Sequence, residues 1–250
     1  MNKNIALITY TNSAMEDVWP VYFGELHKNL DSCISSFVFS NKTVDIYENK
    51  GTESVLYDNE DPYYKQYLNC LERVSQNYVI YAQEDFFLYN KVDHKKIIEL
   101  KDILEYSDYD YIRLIRAGYN TPLKSSPYQN LYEVDMNTND AFSMQITMWK
   151  KESLIKLYKD CKSIKWLESS DWNDSARSVG IKGLFYYNDE EKAGKYHYAS
   201  SIYPYVCTGV NKGMWNVNEY KEFLYDMFQK YNIDPEERGM RLGYNEWTKK

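Results

Sequence analysis

Residues 78–88 read Tyr78-Val79-Ile80-Tyr81-Ala82-Gln83-Glu84-Asp85-Phe86-Phe87-Leu88. The first five are apolar, β-branched or aromatic, long enough for one strand buried on both faces. The run then breaks into Gln83-Glu84-Asp85, an amide and two acids where the strand should stop, before Phe86-Phe87-Leu88 restores apolar character. Ligands of open α/β sheets collect outside the carboxyl ends of the strands. A polar triplet between apolar flanks therefore predicts a ligand site with apolar walls. A strand end solvated by two surface acids has the same letters, and the neighbouring elements decide between the two.

Toward the N-terminus, Ile5-Ala6-Leu7-Ile8-Thr9-Tyr10 is a strand and Thr11-Asn12-Ser13 a turn. A helix follows from Asp17 or Val18 to Leu30, with Pro20 in its first turn and Trp19, Phe23, Leu26 and Leu30 on one face. Ile34 to Ser40 is the second strand. This β-turn-α-β opening is that of a nucleotide-binding α/β fold, in which the first loop meets base or ribose. Thr9, Thr11, Asn12 and Ser13 are thus candidate donor contacts, although the turn residues among them are also ordinary turn formers. Val44 to Tyr57 suggests two short strands around Gly51. Asp61-Pro62 reads as cap and first-turn proline of a helix carrying Tyr64, Tyr67, Leu68, Leu71 and Val74. That helix feeds residues 78–83, so Glu84 and Asp85 end a β-α-β unit, which favours the ligand reading.

Toward the C-terminus, Asp93 caps a helix buried through Ile97, Leu100 and Leu104, and Asp110 to Arg116 is a strand carrying Arg113 and Arg116. Gly118 to Gln129 is a long loop, and Leu131 to Val134 a short strand. After Asn137-Thr138-Asn139-Asp140, the chain is extended over Phe142–Trp149 and helical over Glu152–Cys161. Lys165 to Trp172 interleaves Glu168 and Asp171 with Trp166 and Trp172, and a short helix runs on to Val179. Gly183–Tyr187 and Tyr196–Val206 are predicted strands, and Asn211-Lys212-Gly213-Met214-Trp215 a basic-aromatic loop. Tyr220, Phe223, Leu224, Met227, Phe228 and Tyr231 mark the last helix, and the tail after Asp234 reads as peripheral. The fold class predicted is α/β, with a mixed, mostly parallel central sheet flanked by helices.

Composition narrows the function. The 250 residues carry a net charge of −7, which disfavours broad binding to nucleic acid or anionic membrane. Cys33, Cys70, Cys161 and Cys207 show no ligand spacing and read as reduced cysteines of a cytoplasmic protein, without a zinc site. No run approaches the roughly 20 apolar residues of a membrane span. The 27 tyrosines fit a compositional bias as well as rings that pack on sugars. Walker A, GxGxxG and GxSxG motifs are absent. His27 and His94 fall on predicted helices as surface residues, whereas His197, in a late strand, is placed to reach a metal.

Transfer of a sugar from a nucleoside diphosphate needs a cation for the leaving diphosphate, a base for the acceptor hydroxyl, and aromatic and polar surfaces for the rings. Mg²⁺ or Mn²⁺ is commonly held by one or two carboxylates plus substrate phosphates. Asp85 with Glu84 meets that need, and strand alternation would turn Gln83 and Asp85 to one side and Glu84 to the other.

Tyr81-Ala82-Gln83-Glu84-Asp85-Phe86-Phe87-Leu88 resembles the Tyr-x-Gln-[Glu/Asp]-Asp-[Phe/Tyr]-Phe-Leu segment of a bacterial and viral group of GT-A-type nucleotide-sugar glycosyltransferases. Other stretches are similar to that group in the expected order: Thr11-Asn12-Ser13 before Trp19-Pro20, Ile112-Arg113-Leu114, Ser143-Met144-Gln145 running to Trp149-Lys150-Lys151-Glu152, Trp166-Leu167-Glu168, and Lys212-Gly213-x-Trp215. The resemblance implies one GT-A-like domain over 1–250, with a donor half over 1–135 and an acceptor half over 136–250. It implies a UDP- or GDP-sugar donor, a hydroxyl acceptor, and an inverting transfer with a carboxylate base. Glu168 is the expected base, with Asp171 second, their acidity tuned by the flanking tryptophans; acids at a helix N-terminus are favoured by the dipole in any case. Asp85 and His197 are the candidate metal ligands. Glu84, Gln83, Arg113, Lys212 and Trp215 join the donor contacts. The usual Asp-x-Asp is here Gln83-Glu84-Asp85, so Lys212, Arg113 or Arg116 stands as an alternative partner for the phosphates.

Two rivals accompany this reading. A nucleotidyltransferase would want glycine and Lys/Arg after the first strand, and Tyr10-Thr11-Asn12-Ser13 has neither. A catalytically inactive module of the same fold would bind carbohydrate or a partner only.

Overall fold

The all-apolar start Ile5-Ala6-Leu7-Ile8 lies wholly buried in β1 (Ile5–Tyr10), as a strand covered on both faces requires. The structure is a computed structural model and describes residues 4–44, 51–118, 121–138, 142–161, 170–194 and 197–241. β1 is followed by α1 (Trp19–Asn29), β2 (Ser35–Ser40), β3 (Thr52–Leu56), α2 (Tyr63–Leu71), β4 (Tyr78–Gln83), β5 (Phe87–Leu88) and α3 (His94–Glu105). Then come β6 (Tyr111–Arg113), β7 (Lys124–Ser125), β8 (Leu131–Glu133), β9 (Thr147–Lys150), α4 (Lys151–Asp160), α5 (Ser170–Ser178) and β10 (Gly183–Tyr186). β11 (Tyr205–Val206), β12 (Val210–Asn211), β13 (Met214–Trp215), α6 (Val217–Tyr231) and α7 (Pro235–Arg238) complete the described elements.

Among the described residues one nine-stranded sheet runs β3-β2-β1-β4-β9-β6-β10-β8-β7. β1 pairs in parallel with β2 and β4, β2 with β3, and β6 with β10, while β9 is antiparallel to both β4 and β6. β1, β2, β3, β4, β6 and β10 therefore all end on one side, the carboxyl edge, and the polar triplet leaves from it. The expectation of a mixed, mostly parallel sheet is met.

Strand alternation divides the core in two. Leu7, Ile80, Ile112, Met148 and Leu184 share one layer with Phe23 and Leu26 of α1, Ile97 and Leu100 of α3, and Leu224 and Phe228 of α6. Ile8, Val79, Tyr81, Trp149 and Phe185 share the other with Tyr67 of α2, Leu157 and Tyr158 of α4, and Trp172 of α5. Each fully buried Leu or Phe contributes about 1.5–3 kcal/mol. The second layer is tyrosine-rich: the Tyr67 and Tyr158 rings stack at 4.4 Å, and Tyr158 meets Trp172 edge-on at 4.7 Å. Tyr81 and Trp149 belong to the core, as their setting in strands predicts.

Several expected boundaries move. Pro62 is the N-cap of α2 itself, in extended geometry, and Asp61 instead pairs with Lys65 and accepts from Asn69. Only β3 forms between Val44 and Tyr57 among the described residues, residues 45–50 lying outside them. β6 ends at Arg113: Leu114 N–H still donates to Ile146 O at 3.0 Å, but Leu114 O is taken by Ser200 Oγ, which donates to it at 2.6 Å. The strand expected over Tyr196–Val206 reduces to bridges at His197 and Tyr198 and to β11. Ser200 Oγ there accepts from Tyr203 N–H, and Pro204 has no N–H to offer a ladder.

Candidate active site

At the carboxyl edge the chain turns immediately after Gln83, and Phe86 N–H donates to Gln83 O at 3.1 Å. Glu84 and Asp85 form the turn, so the alternation expected for Gln83, Glu84 and Asp85 does not continue past the strand. The Asp85 carboxylate is buried and its Oδ2 accepts the Val210 N–H at 3.3 Å, while Asp85 O accepts Gly209 N–H at 3.0 Å. These two bonds dock the β12–β13 hairpin on the end of β4. Gly209 is required: a Cβ there would lie 2.1 Å from the Phe87 ring. Asn211-Lys212-Gly213-Met214 is the hairpin's tight turn, with positive φ at Lys212 (52°) and Gly213 (80°), as the right-handed twist of the flanking strands favours. Lys212 thus stands exposed on a turn carried by Asp85's neighbours.

Glu84 is half-buried, and its carboxyl is pushed up to about 8, first by desolvation and then by the adjacent Asp85 charge; Arg238 acts in the opposite sense. Two adjacent carboxyls cannot both ionise easily in a low dielectric. A divalent cation would relieve that conflict, so the pair fits such an ion in its chemistry. Among the described residues, no group of three metal-ligating side chains includes Asp85 or His197.

Tyr10, the last residue of β1, stacks on Tyr57 at 5.1 Å and 5° and meets Tyr63 edge-on at 4.8 Å. Its hydroxyl donates to Gln66 Oε1 at 2.6 Å, and that of Tyr57 donates to Thr11 O at 2.8 Å. These rings floor the edge beside Glu84. Burial is the main reason the Tyr10 and Tyr57 phenols are pushed up, and the Glu84 charge adds to it.

The first loop is held from below. Thr9 Oγ1 meets the Tyr22 hydroxyl at 2.6 Å, and Thr11 Oγ1 accepts from Trp19 Nε1 at 2.9 Å. Both threonine side chains are buried, so they shape the loop from behind. Asn12 Oδ1 accepts Ala14 N–H, and Ser13 exchanges bonds with Asn41; both remain half-exposed at the edge. Gln83 Nε2 donates to the Tyr81 hydroxyl at 3.0 Å. Gln145, at the entry to β9, accepts from the Tyr205 hydroxyl at 2.7 Å.

Other expected contacts fall elsewhere. Trp215 is fully buried, its ring 5.0 Å from Phe228 and 6.2 Å from Phe87, so it supports the hairpin rather than facing a donor. Arg113 is buried within β6, on the face shared with Tyr111. Arg116 lies between the Tyr187 and Tyr198 rings at 4.8 and 4.7 Å and donates to Thr121 O. His197 is buried, its Nε2 lies 2.8 Å from the Tyr220 hydroxyl, and desolvation pulls it down to about 4. That nitrogen is engaged by Tyr220, at the one residue of α6 with non-helical φ/ψ (−125°, 39°). The metal expectation for His197 accordingly gives way to a neutral ring bonded to tyrosine. Glu168 and Trp166 lie outside the described residues. Asp171 is exposed in the first turn of α5 while Trp172 turns into the core, so Trp172 does not wall in Asp171 as expected.

Two groupings had no signal in residue spacing. Arg238 of α7, expected in a peripheral tail, is bonded to Asp17, 221 residues away. At the opposite, amino edge, Asp31, Cys33 and His94 bring potential metal-ligating atoms within 4.8 Å of one another, against the expectation that no cysteine joins such a group.

This architecture defines a GT-A-like, Rossmann-related α/β fold. Among solved structures the chain is similar to S. aureus TarS residues 1–349, with a TM-score of 0.50, 14% identity, and coverage of 79% of this chain and 60% of that one. The same fragment in complex with UDP matches at 0.50 and 13%, over 78% of this chain and 60% of that one. A cytidylyltransferase from Leptospira borgpetersenii serovar Hardjo-bovis matches at 0.50 and 10%, over 97% and 99% of the two chains. The chain thus spans about three-fifths of the TarS fragment it matches. No family model and no curated protein matches. No described helix is long and apolar enough to cross a membrane.

Proposed function

We propose that this protein is a glycosyltransferase that moves a sugar from a nucleoside diphosphate to a hydroxyl acceptor. The observation that carries the reading is the Glu84–Asp85 pair: a buried carboxylate beside a desolvated carboxyl, at the carboxyl end of a strand with parallel and antiparallel neighbours. The similarly folded TarS fragment has been crystallised in complex with UDP, which supports a nucleotide donor for this chain.

In this reading Asn12 and Ser13 meet the nucleoside, the Tyr10–Tyr57 stack offers it a flat apolar surface, and Asp85 and Glu84 face the diphosphate. Mg²⁺ or Mn²⁺ held by Asp85 and Glu84 would neutralise charge developing on the leaving diphosphate. Lys212, on the docked hairpin, adds positive charge on the same side. A carboxylate from the acceptor half, Glu168 or Asp171, takes the acceptor proton as its oxygen attacks the anomeric carbon from the face opposite the leaving group, inverting the configuration.

The match to a cytidylyltransferase over nearly the whole of both chains favours a second reading, nucleotidyl transfer. Against it, Tyr10-Thr11-Asn12-Ser13 supplies neither glycine nor a cation for a triphosphate. A panel of UDP-, GDP- and CMP-sugars, with and without Mn²⁺, separates the readings by slow donor hydrolysis. Release of UDP or GDP is the expected result. Pyrophosphate release from CTP with a sugar acid or sugar phosphate would replace this reading with the second, and binding without turnover would leave a carbohydrate-binding module.

A further inference from the structure

Arg238 sits on a four-residue helix among exposed acids, yet its side chain is only 9% exposed. Its Nε donates to Asp17 Oδ2 at 2.6 Å and its Nη2 to Asp17 Oδ1. Nη2 also donates to Ala14 O at 2.8 Å and Nη1 to Gly213 O at 3.3 Å. One guanidinium thereby ties together the loop after β1, the turn of the β12–β13 hairpin, and α7. The segment behind it is anchored too: Trp215 N–H donates to Gly239 O at 3.0 Å and Arg241 N–H to Trp215 O at 2.9 Å. A cavity of about 430 Å³ opens at this junction, lined by Ser13, Ala14, Asp17, Gly213, Glu237 and Arg238. The hairpin that Arg238 holds on one side is held on the other by Asp85.

We propose that Arg238 is a positioning residue of the nucleotide site, setting the separation between the Ser13 turn and the Lys212–Gly213 turn. The inference rests on the glycosyltransferase reading, which supplies the ligand for that edge. Direct contact with the diphosphate is the less economical alternative. The contacts above occupy the guanidinium fork and use most of its five N–H donors, its charge is engaged by the Asp17 carboxylate, and Glu237 stands beside it on the cavity wall. The bidentate geometry matters because a planar fork fixes both distance and orientation, which an ammonium cannot do. Separation of the two turns then determines whether Asn12, Ser13 and Lys212 reach one ligand together.

Calorimetric titration of UDP, GDP and CDP into the wild type, Arg238→Met, Asp17→Asn, Arg238→Lys and the Arg238→Met/Asp17→Asn double variant tests this. Each single variant is expected to weaken the nucleotide that the wild type binds by about tenfold, as small misplacements of binding groups do. The double variant should be no weaker than either single, because both remove one pin, and Arg238→Lys should not restore binding. Asp17→Asn keeps the side-chain shape, so it stays informative if Arg238→Met is poorly folded. Unchanged affinity in Asp17→Asn and Arg238→Lys, whatever their melting temperatures, overturns the assignment, as does a double variant weaker by the product of the single losses. Absence of any nucleotide binding by the wild type overturns the functional reading itself, and this inference with it.

Discussion

The two edges of the sheet each gather acids and polar side chains, and they treat them differently. At the amino edge, His94 Nε2 accepts Asp31 N–H at 2.9 Å, Asp31 Oδ1 accepts Cys33 N–H at 2.9 Å, and His94 Nδ1 lies 4.0 Å from Cys33 Sγ. The trio satisfies itself: the nitrogen that accepts a backbone N–H cannot also offer a lone pair to a metal, and the other ring nitrogen of a neutral imidazole then carries the proton. At the carboxyl edge, Asp85 is buried, and desolvation together with the Asp85 charge pushes the neighbouring Glu84 carboxyl up to about 8. Closure by local bonds characterises the first group, whereas a carboxyl whose acidity is shifted by burial and a neighbouring charge characterises the second, a pattern enriched at functional sites.

The largest expected effect follows from Asp85. Asp85→Asn preserves shape and removes charge, and should reduce donor turnover by about 10²–10³-fold with an unchanged circular-dichroism spectrum. Retained turnover would erase the contrast between the edges.

Gly209→Ala comes next. It drives a methyl group into Phe87 and lifts Val210 from Asp85, so a stability loss of about 1–3 kcal/mol is expected by denaturant titration, together with reduced turnover. A variant as stable as the wild type would show that the hairpin docks less tightly than its bonds imply.

A smaller effect attaches to Glu84. Its folded carboxyl keeps its proton up to about 8, whereas the unfolded one releases it near the usual glutamate range. Between those points the native state binds more protons, so this group's contribution to stability declines as pH rises. Glu84→Gln should flatten that decline, its melting temperature gaining on the wild type between about pH 5 and about pH 8.5. Parallel curves for the two proteins would mean that Glu84 is better solvated than its setting indicates.

The smallest effect belongs to the amino edge. Cys33→Ser and His94→Gln should each change stability by less than about 1 kcal/mol and leave nucleotide affinity and turnover intact. A loss of turnover in either variant would place chemistry at both edges.

Most of the architecture was legible in the letters because it depends on local periodicity. The largely apolar strands β1 and β4, the Phe37-Val38-Phe39 run of β2, the stripe of α1 and the Asp93 cap of α3 are each decided within a dozen residues, and each lies within a residue or two of expectation. Gln83-Glu84-Asp85 at the end of β4 was legible for the same reason. Where local patterning competed with side-chain bonds, as for Leu114 with Ser200, the apolar run outlasted the strand it predicted.

The environment of the triplet was decided by tertiary structure alone. Val210 reaches Asp85 across 125 residues, Arg238 reaches Asp17 across 221, and Trp215 turns its ring inward beneath the hairpin it was expected to present. The chain by itself determined which residues could carry charge and where strands would end. Which charges meet, and which are denied solvent, depends on contacts that no periodicity encodes, because desolvation and Coulomb energy follow distance in space rather than separation along the chain.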